Sequence, residues 1–328
     1  IDLRLTTDNY AAFAENIFQV STKFSVVPGI RYEIINTHLS GVIKNATTNV
    51  AYRGKRTFPL LGLGLQYQAT STTQLYANIA QAYRPYLYAN VTPADRVDKI
   101  DPNLKDSKGY DVDLGYRGRL LNILQFDLDA FYLFYGDRIG LVSETNAAGT
   151  NLLTTNIGNS RSIGIEAFAE LSLLKLLHYK DANTDVRVFT SLSYDDAKYI
   201  SGFVNKAGTN IKIAGNDVEN APKWISKSGL ELRYKKLFTN FQYSYTSKSF
   251  NDAFNTIRST NGVTGLIPAY HVLDWNVNWQ FTKQFHISAN VNNLANEKYF
   301  NRRTTFYPGP GILSADGRTF VISFGINL

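Results

Sequence analysis

Hydrophobic and polar residues alternate with a period of two along most of the chain. Trp275, Val277 and Trp279, for example, are separated by single asparagines, and the same alternation is found in segments 126–132 and 320–327. This spacing predicts β-strands that have one apolar and one polar face. The sequence therefore indicates an all-β protein.

The alternation predicts thirteen strands, many of them longer than the five or six residues typical of soluble proteins. They lie near 9–19, 24–36, 57–69, 74–84, 108–118, 124–141, 156–172, 185–200, 219–235, 238–250, 269–281, 285–300 and 318–328.

The connections between these strands alternate between short and long. The short ones lie at 20–23, 70–73, 119–123, 236–237 and 282–284, and the long ones at 37–56, 85–107, 142–155, 201–218, 251–268 and 301–317. One connection on the short side, 173–184, is longer than its fellows. Short turns at one end and long loops at the other are typical of outer-membrane barrels, whose strands need about ten alternating residues each. The pattern thus predicts an antiparallel transmembrane β-barrel, although a soluble β-rich protein would also alternate.

Thirteen is an odd number, whereas bacterial single-chain barrels normally close with an even number of strands. The first and last predicted strands both run inward. Either strands precede this chain or one strand is miscounted, and we favour the first explanation. On this view residues 1–328 form a single, incomplete barrel domain.

Composition adds three observations to this picture. Tyr is the most frequent aromatic residue, with 21 copies beside 20 Phe and 3 Trp, and it suits the boundary between lipid and water. There is no Cys, which excludes disulfides and thiolate metal sites. The formal net charge of +7 favours an anionic partner, although solvated loops would produce the same excess.

Several segments, taken in order, resemble the TonB-dependent receptors of bacterial outer membranes. AYRP (82–85), IDPNLK (100–105) and GYDVDLGYRG (109–118) resemble a region where one strand of these barrels ends and the next begins. VNNLANEKYF (291–300) resembles the penultimate strand, and DGRTF (316–320) resembles the start of the last one.

The resemblance implies a 22-stranded barrel of which this chain supplies the last thirteen strands, with the N-terminal plug domain absent from it. NRRT (301–304) with YPGPG (307–311) resembles most the ferric-citrate-type receptors of Bacteroidota-like bacteria. Two features depart from the family pattern. The family usually has a Glu near Tyr110, and it usually ends in Phe or Trp where this sequence ends in Leu328.

By the same resemblance, the chain is expected to serve active import of an iron chelate, such as ferric citrate or a similar anionic siderophore, across the bacterial outer membrane. The implied partners are the ferric chelate, outer-membrane lipid and lipopolysaccharide, and the TonB–ExbB–ExbD complex acting through the plug. No nucleic acid, enzymatic reaction or cofactor is expected, because the iron arrives as a chelate. A passive porin, or a receptor for another siderophore, cobalamin, haem or a carbohydrate, remains an alternative.

Arginines provide the candidate ligand-binding residues. Ten of them fall on the predicted long loops or beside them: Arg53, Arg56, Arg84, Arg96, Arg138, Arg161, Arg258, Arg302, Arg303 and Arg318. Guanidinium groups bind carboxylates through paired hydrogen bonds. We expect ligand contacts from Arg84, Arg138, Arg161, Arg302 and Arg303. The alternative is that these arginines meet lipopolysaccharide phosphates or pair with loop acids such as Asp95 and Asp98.

The other polar and aromatic residues give weaker signals. The histidines are scattered over different predicted elements and favour no metal site: His38, His178, His271 and His286. Four acids are expected to face the interior of the barrel: Asp111, Asp113, Asp127 and Asp129. Aromatics at the long-loop end are expected in an upper membrane girdle: Tyr83, Tyr86, Tyr88, Phe254, Phe306 and Tyr307.

Overall fold

The computed structural model describes residues 2–43, 48–87, 99–146, 149–179, 181, 183–206, 208–259, 262–304 and 311–326. Within these residues the chain is almost entirely β-strand, with one short helix, α1 (Leu173–Leu176). The strands in chain order are β1 (Asp2–Glu15), β2 (Phe18–Gln19), β3 (Phe24–Ile43), β4 (Thr48–Gln68), β5 (Thr73–Arg84), β6 (Lys99–Ile100), β7 (Ser107–Leu120), β8 (Leu124–Asn146), β9 (Gly149–Ser172), β10 (Thr184–Lys206), β11 (Thr209–Lys212), β12 (Trp224–Tyr234), β13 (Leu237–Thr246), β14 (Ser249–Phe250), β15 (Leu266–Ile267), β16 (Tyr270–Gln280), β17 (Phe285–Asn292), β18 (Phe300–Thr304), β19 (Gly311–Ser314) and β20 (Thr319–Ile326). No helix in this part of the chain has the length and apolar character needed to cross a membrane.

Thirteen of the described strands follow one antiparallel meander. Its order is β1, β3, β4, β5, β7, β8, β9, β10, β12, β13, β16, β17 and β20. Short strands lie beside it, where β2 pairs with β3, β11 pairs with β10, and β6 runs parallel to β9. β14 with β15 and β18 with β19 form two separate pairs. The meander is the wall of a large antiparallel β-barrel, as the alternation predicts.

All thirteen predicted strands are found, but several continue further at the long-loop end. β3 ends at Ile43 and β4 begins at Thr48, so most of the predicted loop 37–56 is strand. β8 and β9 likewise occupy most of the predicted loop 142–155. These extensions are held by backbone hydrogen bonds, which do not require an apolar face. Alternation therefore ends before the strands do.

Two predicted strands are shorter than expected. β17 ends at Asn292 rather than near 300, because Asn293 has a left-handed φ of 52° and begins a turn. The Asn293 side chain closes that turn, since its Oδ1 accepts a hydrogen bond from the Glu297 N–H at 2.8 Å. β12 begins at Trp224 rather than near 219, after another left-handed residue, Asn220.

The register of the strands separates the apolar from the polar residues. Trp275 lies opposite Phe241 in β13 and Val291 in β17. Its neighbour Asn276 lies opposite Asn240, and the two side-chain amides are hydrogen-bonded at 2.9 Å. Alternate residues of adjacent strands thus form one continuous apolar face and one continuous polar face.

The polar face is the concave one. Tyr76 of β5 reaches across β7 to donate a hydrogen bond to Asp127 Oδ1 of β8 at 3.1 Å. Gly115 makes this possible, because an added Cβ there would lie 2.1 Å from the Tyr76 ring. We call this face the lumen and the apolar one the outer face. All four acids predicted for the interior share the register positions of the lumen face: Asp111, Asp113, Asp127 and Asp129.

Aromatic side chains mark two levels of the outer face. Trp224, at the long-loop end of β12, packs on Tyr194 with ring centroids 4.8 Å apart. Tyr234 lies at the turn end of the same strand. A strand of this length that is tilted by about 45° spans about 23 Å, close to the ~25 Å apolar band of an outer-membrane barrel. Trp279 and Phe281 pack together at the lower level.

A matched pair of charged substitutions tests the assignment of the two faces. We expect Val277→Arg to lower the free energy of unfolding in a bilayer by about 2 kcal/mol, because its side chain faces hydrocarbon. Asn278→Arg, one residue further along, places the same charge in the aqueous lumen and is expected to change stability little. Equilibrium unfolding in lipid vesicles measures both, and equal destabilisation by the two variants contradicts the assignment.

Candidate ligand-binding site

At the long-loop end of the wall, residues 99–106 fold against the lumen face. β6 pairs with β9 there, and Thr155 Oγ1 donates a hydrogen bond to Asp101 Oδ2 at 2.6 Å. A small apolar cluster lies beneath the segment, formed by Leu39, Tyr52, Tyr86, Ile100, Leu104 and Ile139. Tyr86 is only 7% exposed. The expectation that it belongs to the outer aromatic girdle is therefore wrong, because it closes the inside of the barrel mouth instead.

Asp106 fastens this segment to the wall. Its carboxylate accepts hydrogen bonds from the Tyr83 hydroxyl, from the Tyr86 N–H at 2.9 Å and from Arg56 Nη1 at 3.2 Å. Arg56 also lies over the Tyr86 ring, with 4.2 Å from Cζ to the centroid. Burial raises the pKa of Asp106, and the Tyr86 N–H and Arg56 oppose that shift.

Asn156 of β9 fastens the segment from the other side. Its Oδ1 accepts the Lys105 N–H and its Nδ2 donates to the Lys105 carbonyl, both at 2.9 Å. The same Nδ2 donates to the Asp137 carbonyl at 2.8 Å. Asp137 has a left-handed φ of 53° and lies in a bulge, where the register between β8 and β9 shifts. The bulge and the folded segment are thus joined through one side chain.

Replacement of Asp106 tests this attachment. We expect Asp106→Asn to lower the local stability of residues 99–106 by about 3 kcal/mol, because Arg56 then lacks its carboxylate at a site where its side chain is 12% exposed. Amide hydrogen exchange of this segment measures the change, and Asp8→Asn in β1, away from the segment, is the control. Unchanged exchange in the Asp106 variant contradicts the assigned role.

Two of the predicted arginines meet beside this segment on the lumen face. Arg84 Nη1 donates a hydrogen bond to the Tyr135 hydroxyl at 2.9 Å, and the Arg138 guanidinium lies 4.8 Å from the centroid of the same ring. Arg138 also lies 5.1 Å from the ring of Tyr199 and donates to Glu219 Oε1 at 3.2 Å. Tyr199 donates to the other oxygen of Glu219 at 2.5 Å. We call Arg84, Tyr135, Arg138, Tyr199 and Glu219 the mouth cluster.

The two guanidinium groups of the mouth cluster differ in availability. Arg138 is 19% exposed and is also held by Ser160 Oγ at 3.1 Å. Arg84 is exposed, and within the described residues the Tyr135 hydroxyl is its single hydrogen-bond partner. The cluster has one more positive than negative charge and can bind an anion.

Arg161 lies on the opposite face of the wall. It is in register with Phe134 and Lys198 at outer-face positions, and its Nη2 lies 3.5 Å from Asp196 Oδ2. Lys223 Nζ approaches the same carboxylate at 3.6 Å. The structure therefore does not bring Arg161 together with the mouth cluster.

Arg302 and Arg303 lie on β18, apart from the mouth cluster. Arg303 donates to the carbonyl oxygens of Leu266 at 2.9 Å and Gly262 at 2.5 Å, and its Cζ lies 5.0 Å from the Phe300 ring. These contacts attach β18 to the connection that contains Gly262 and Leu266. Arg302 is exposed.

Some predicted residues lie outside the described part of the chain, namely Tyr88, Asp95, Arg96, Asp98, Phe306, Tyr307 and Leu328. Among the described residues no group of three or more His, Asp or Glu could hold a metal ion. His271 stacks on Tyr243 with centroids 5.9 Å apart.

Sequence reasoning did not identify Tyr135, Tyr199 or Glu219 as site residues. The available signal was the interruption of the β8 alternation at Gly136 and Asp137, since such breaks mark bulges that redirect side chains. Glu219 gave no signal, because it lies in an irregular connection that comes close to β8 only in three dimensions.

Comparison with known proteins identifies the family. The family model described as TonB dependent receptor-like, beta-barrel matches residues 2–294. The rhizobactin receptor of Rhizobium meliloti (strain 1021) is 27% identical over 191 residues, covering 50% of this chain and 24% of the relative. The pesticin receptor of Yersinia enterocolitica is 22% identical over 300 residues, covering 90% of this chain and 40% of the relative.

Solved structures show the same fold. The ferric citrate transporter FecA in its unliganded form matches with a TM-score of 0.78 at 22% identity, covering 99% of this chain and 45% of that one. The siderophore receptor PiuA from Acinetobacter baumannii matches with a TM-score of 0.77 at 16% identity, covering 99% and 44%. The chain thus spans less than half the length of these relatives. It belongs to the TonB-dependent receptor-like β-barrel family and is a protein of the bacterial outer membrane.

Proposed function

We propose that this chain is the ligand-binding wall of a receptor that imports the ferric complex of an anionic chelator, with ferric citrate or a similar siderophore as its cargo. One observation carries the proposal. Arg84 and Arg138 contact the same side chain, Tyr135, on the lumen face at the barrel mouth. A ferric polycarboxylate presents several anionic oxygens at once, and two neighbouring guanidinium groups can bind them through paired hydrogen bonds.

The setting of the mouth cluster favours anion binding. Arg84 has spare donors, and Arg138 already binds a carboxylate in Glu219, which is the group that a polycarboxylate chelate would present. The folded segment 99–106 covers Arg56 through Asp106, and the Arg56 side chain is only 12% exposed. Charge in such a partly enclosed mouth acts more strongly than charge on an open surface.

The names of the relatives support the same class of cargo. A rhizobactin receptor, a siderophore receptor and a ferric citrate transporter are among the proteins to which this chain is similar. Within the receptor class we favour the ferric-citrate type, on the arginines of the mouth cluster. Arg302 can add a further contact from β18, whereas Arg161 and Arg303 stabilise the wall and the loops.

Import would be active rather than passive. In a TonB-dependent receptor the barrel supplies selectivity and a rigid frame, and the TonB–ExbB–ExbD complex supplies energy through a plug domain. Iron enters already coordinated by its chelator, so the barrel needs neither metal ligands nor a cofactor of its own.

Calorimetric titration of the intact receptor tests the cargo. Ferric citrate is compared with a ferric complex of a neutral hydroxamate and with cobalamin. We expect ferric citrate to bind more tightly than the two neutral ligands, because the mouth cluster is cationic. Binding of none of the ferric species contradicts the iron assignment, and equal binding of the neutral complex contradicts the role of charge.

Uptake measurements in cells separate active import from a passive channel. Accumulation of radioactive iron from the chelate is expected to stop when the TonB complex is removed or the proton gradient is collapsed. Uptake that persists under both conditions indicates a porin.

A further inference from the structure

Five lysines lie at the turn end of the barrel wall, opposite the mouth cluster. We call them the basic belt: Lys23, Lys175, Lys235, Lys236 and Lys283. All five are exposed, and none forms an ion pair with another described residue. The one carboxylate in the described turns, Asp181, accepts hydrogen bonds from the Thr184 hydroxyl at 2.6 Å and the Asn183 N–H at 2.9 Å. These bonds lower the pKa of Asp181, and Lys235 adds a smaller electrostatic contribution.

One group of cations on the outer face at the other end of the wall is compensated by carboxylates. Arg161, Lys198 and Lys223 all lie within 4 Å of Asp196. Lys223 also lies 3.5 Å from Asp217. The belt lysines, in contrast, have no carboxylate within 4 Å among the described residues.

Backbone hydrogen bonds fix the belt lysines to neighbouring strands. The Lys235 N–H donates to the Asn183 carbonyl at 2.7 Å, and the Gln280 N–H donates to the Lys236 carbonyl at 3.1 Å. Lys235 Nζ lies 5.2 Å from the ring of Tyr234, the outer-face residue at the lower aromatic level. The charges thus lie at a defined height on the wall, immediately beyond the apolar band.

Apolar side chains are exposed at the same end. Leu121 is 87% exposed, Leu177 74% and Tyr179 55%. Leu121 also has a left-handed φ of 51°, which costs a residue other than glycine about 1 kcal/mol. Neither the exposure nor the conformation of Leu121 is favourable in water. Contact with acyl chains would offset both.

We propose that the basic belt and its exposed leucines bind anionic phospholipid in the periplasmic leaflet of the outer membrane. Short turns of these barrels lie on the periplasmic side. Lysines at that height meet lipid phosphates, and each contributes about 1 kcal/mol of attraction to an anionic surface. Leu177 and Tyr179 fit the boundary between headgroups and acyl chains, where interfacial segments place such residues. The proposal is independent of the cargo.

Native mass spectrometry of the intact receptor in detergent, with phosphatidylglycerol or phosphatidylethanolamine added, tests the proposal. We expect wild-type protein to retain phosphatidylglycerol in preference to phosphatidylethanolamine. The triple variant Lys235→Gln, Lys236→Gln, Lys283→Gln is expected to bind phosphatidylglycerol about a hundredfold more weakly, because each lysine contributes about fivefold. A matched triple variant of exposed lysines at the mouth end serves as the control: Lys55→Gln, Lys212→Gln and Lys248→Gln.

Folding of each variant is checked by its heat-dependent mobility in gel electrophoresis, which reports an intact barrel before lipid binding is compared. Three results overturn the proposal: no preference of the wild type for phosphatidylglycerol, unchanged retention in the belt variant, and equal loss in the mouth-end control. The same experiment is repeated with purified lipopolysaccharide. A receptor that retains lipopolysaccharide better than phosphatidylglycerol also overturns the proposal, because the belt is then not specific for the periplasmic leaflet.

Discussion

The Arg84→Ala, Arg138→Ala double variant of the intact receptor is expected to bind ferric citrate about a thousandfold more weakly than wild type. A hydrogen bond to a charged group contributes about 1.5–3 kcal/mol. Loss of one such bond from each arginine removes about 4 kcal/mol, which corresponds to that factor. Titration calorimetry measures the difference, and the neutral hydroxamate complex is expected to be affected much less.

Two further variants show whether the effect belongs to the paired donors. Lysine at Arg84 and Arg138 preserves charge but loses the planar fork, so Arg84→Lys, Arg138→Lys should recover part of the affinity. Arg161→Ala removes a cation from the outer face and should leave binding unchanged. If the double alanine variant binds like wild type, or if Arg161→Ala weakens binding equally, the mouth cluster is not the binding site.

Alternation predicted the strands well because the membrane imposes it. In β16, Trp275, Val277 and Trp279 meet hydrocarbon while Asn276 and Asn278 line the lumen, so the period of two is retained. Beyond the membrane that constraint ends. The extensions of β3 and β4 pair residues such as Thr37 and Gly54 through backbone groups alone, and such pairing leaves no hydrophobic period in the sequence.

The candidate site was only partly predictable for a related reason. Residue type indicated an anion-binding mouth, but the face on which each arginine lies depends on register. Arg161 shares its parity with Ile163 and Ile165 of the outer face, so its position was available from the sequence. Arg138 shares its parity with the outer-face residue Phe134, yet the bulge at Gly136 and Asp137 turns it into the lumen.

A second shift of register reinforces the first. β9 and β10 change register between Tyr199 and Ser201, next to Gly158, which also faces Arg138 of β8. Gly158 has a φ of +152°, and an added Cβ there would lie 2.3 Å from the Ser201 carbonyl oxygen. Both bulges therefore depend on a glycine at position 158, and together they place Arg138 and Tyr199 against each other.

Gly158→Ala is for this reason expected to lower the free energy of unfolding by about 4 kcal/mol, from backbone strain of about 1–3 kcal/mol and a similar cost of overpacking. Gly215→Ala is the matched control. Gly215 is also left-handed, with a φ of +92°, but nothing lies within 4 Å of its added Cβ, so only the strain remains. Urea unfolding of both variants, with ferric citrate titration of the folded protein, separates close packing from backbone strain. Equal destabilisation by the two substitutions contradicts the role of the close approach. A Gly158 variant that folds but retains full affinity shows that Arg138 does not need the double bulge to reach the ligand.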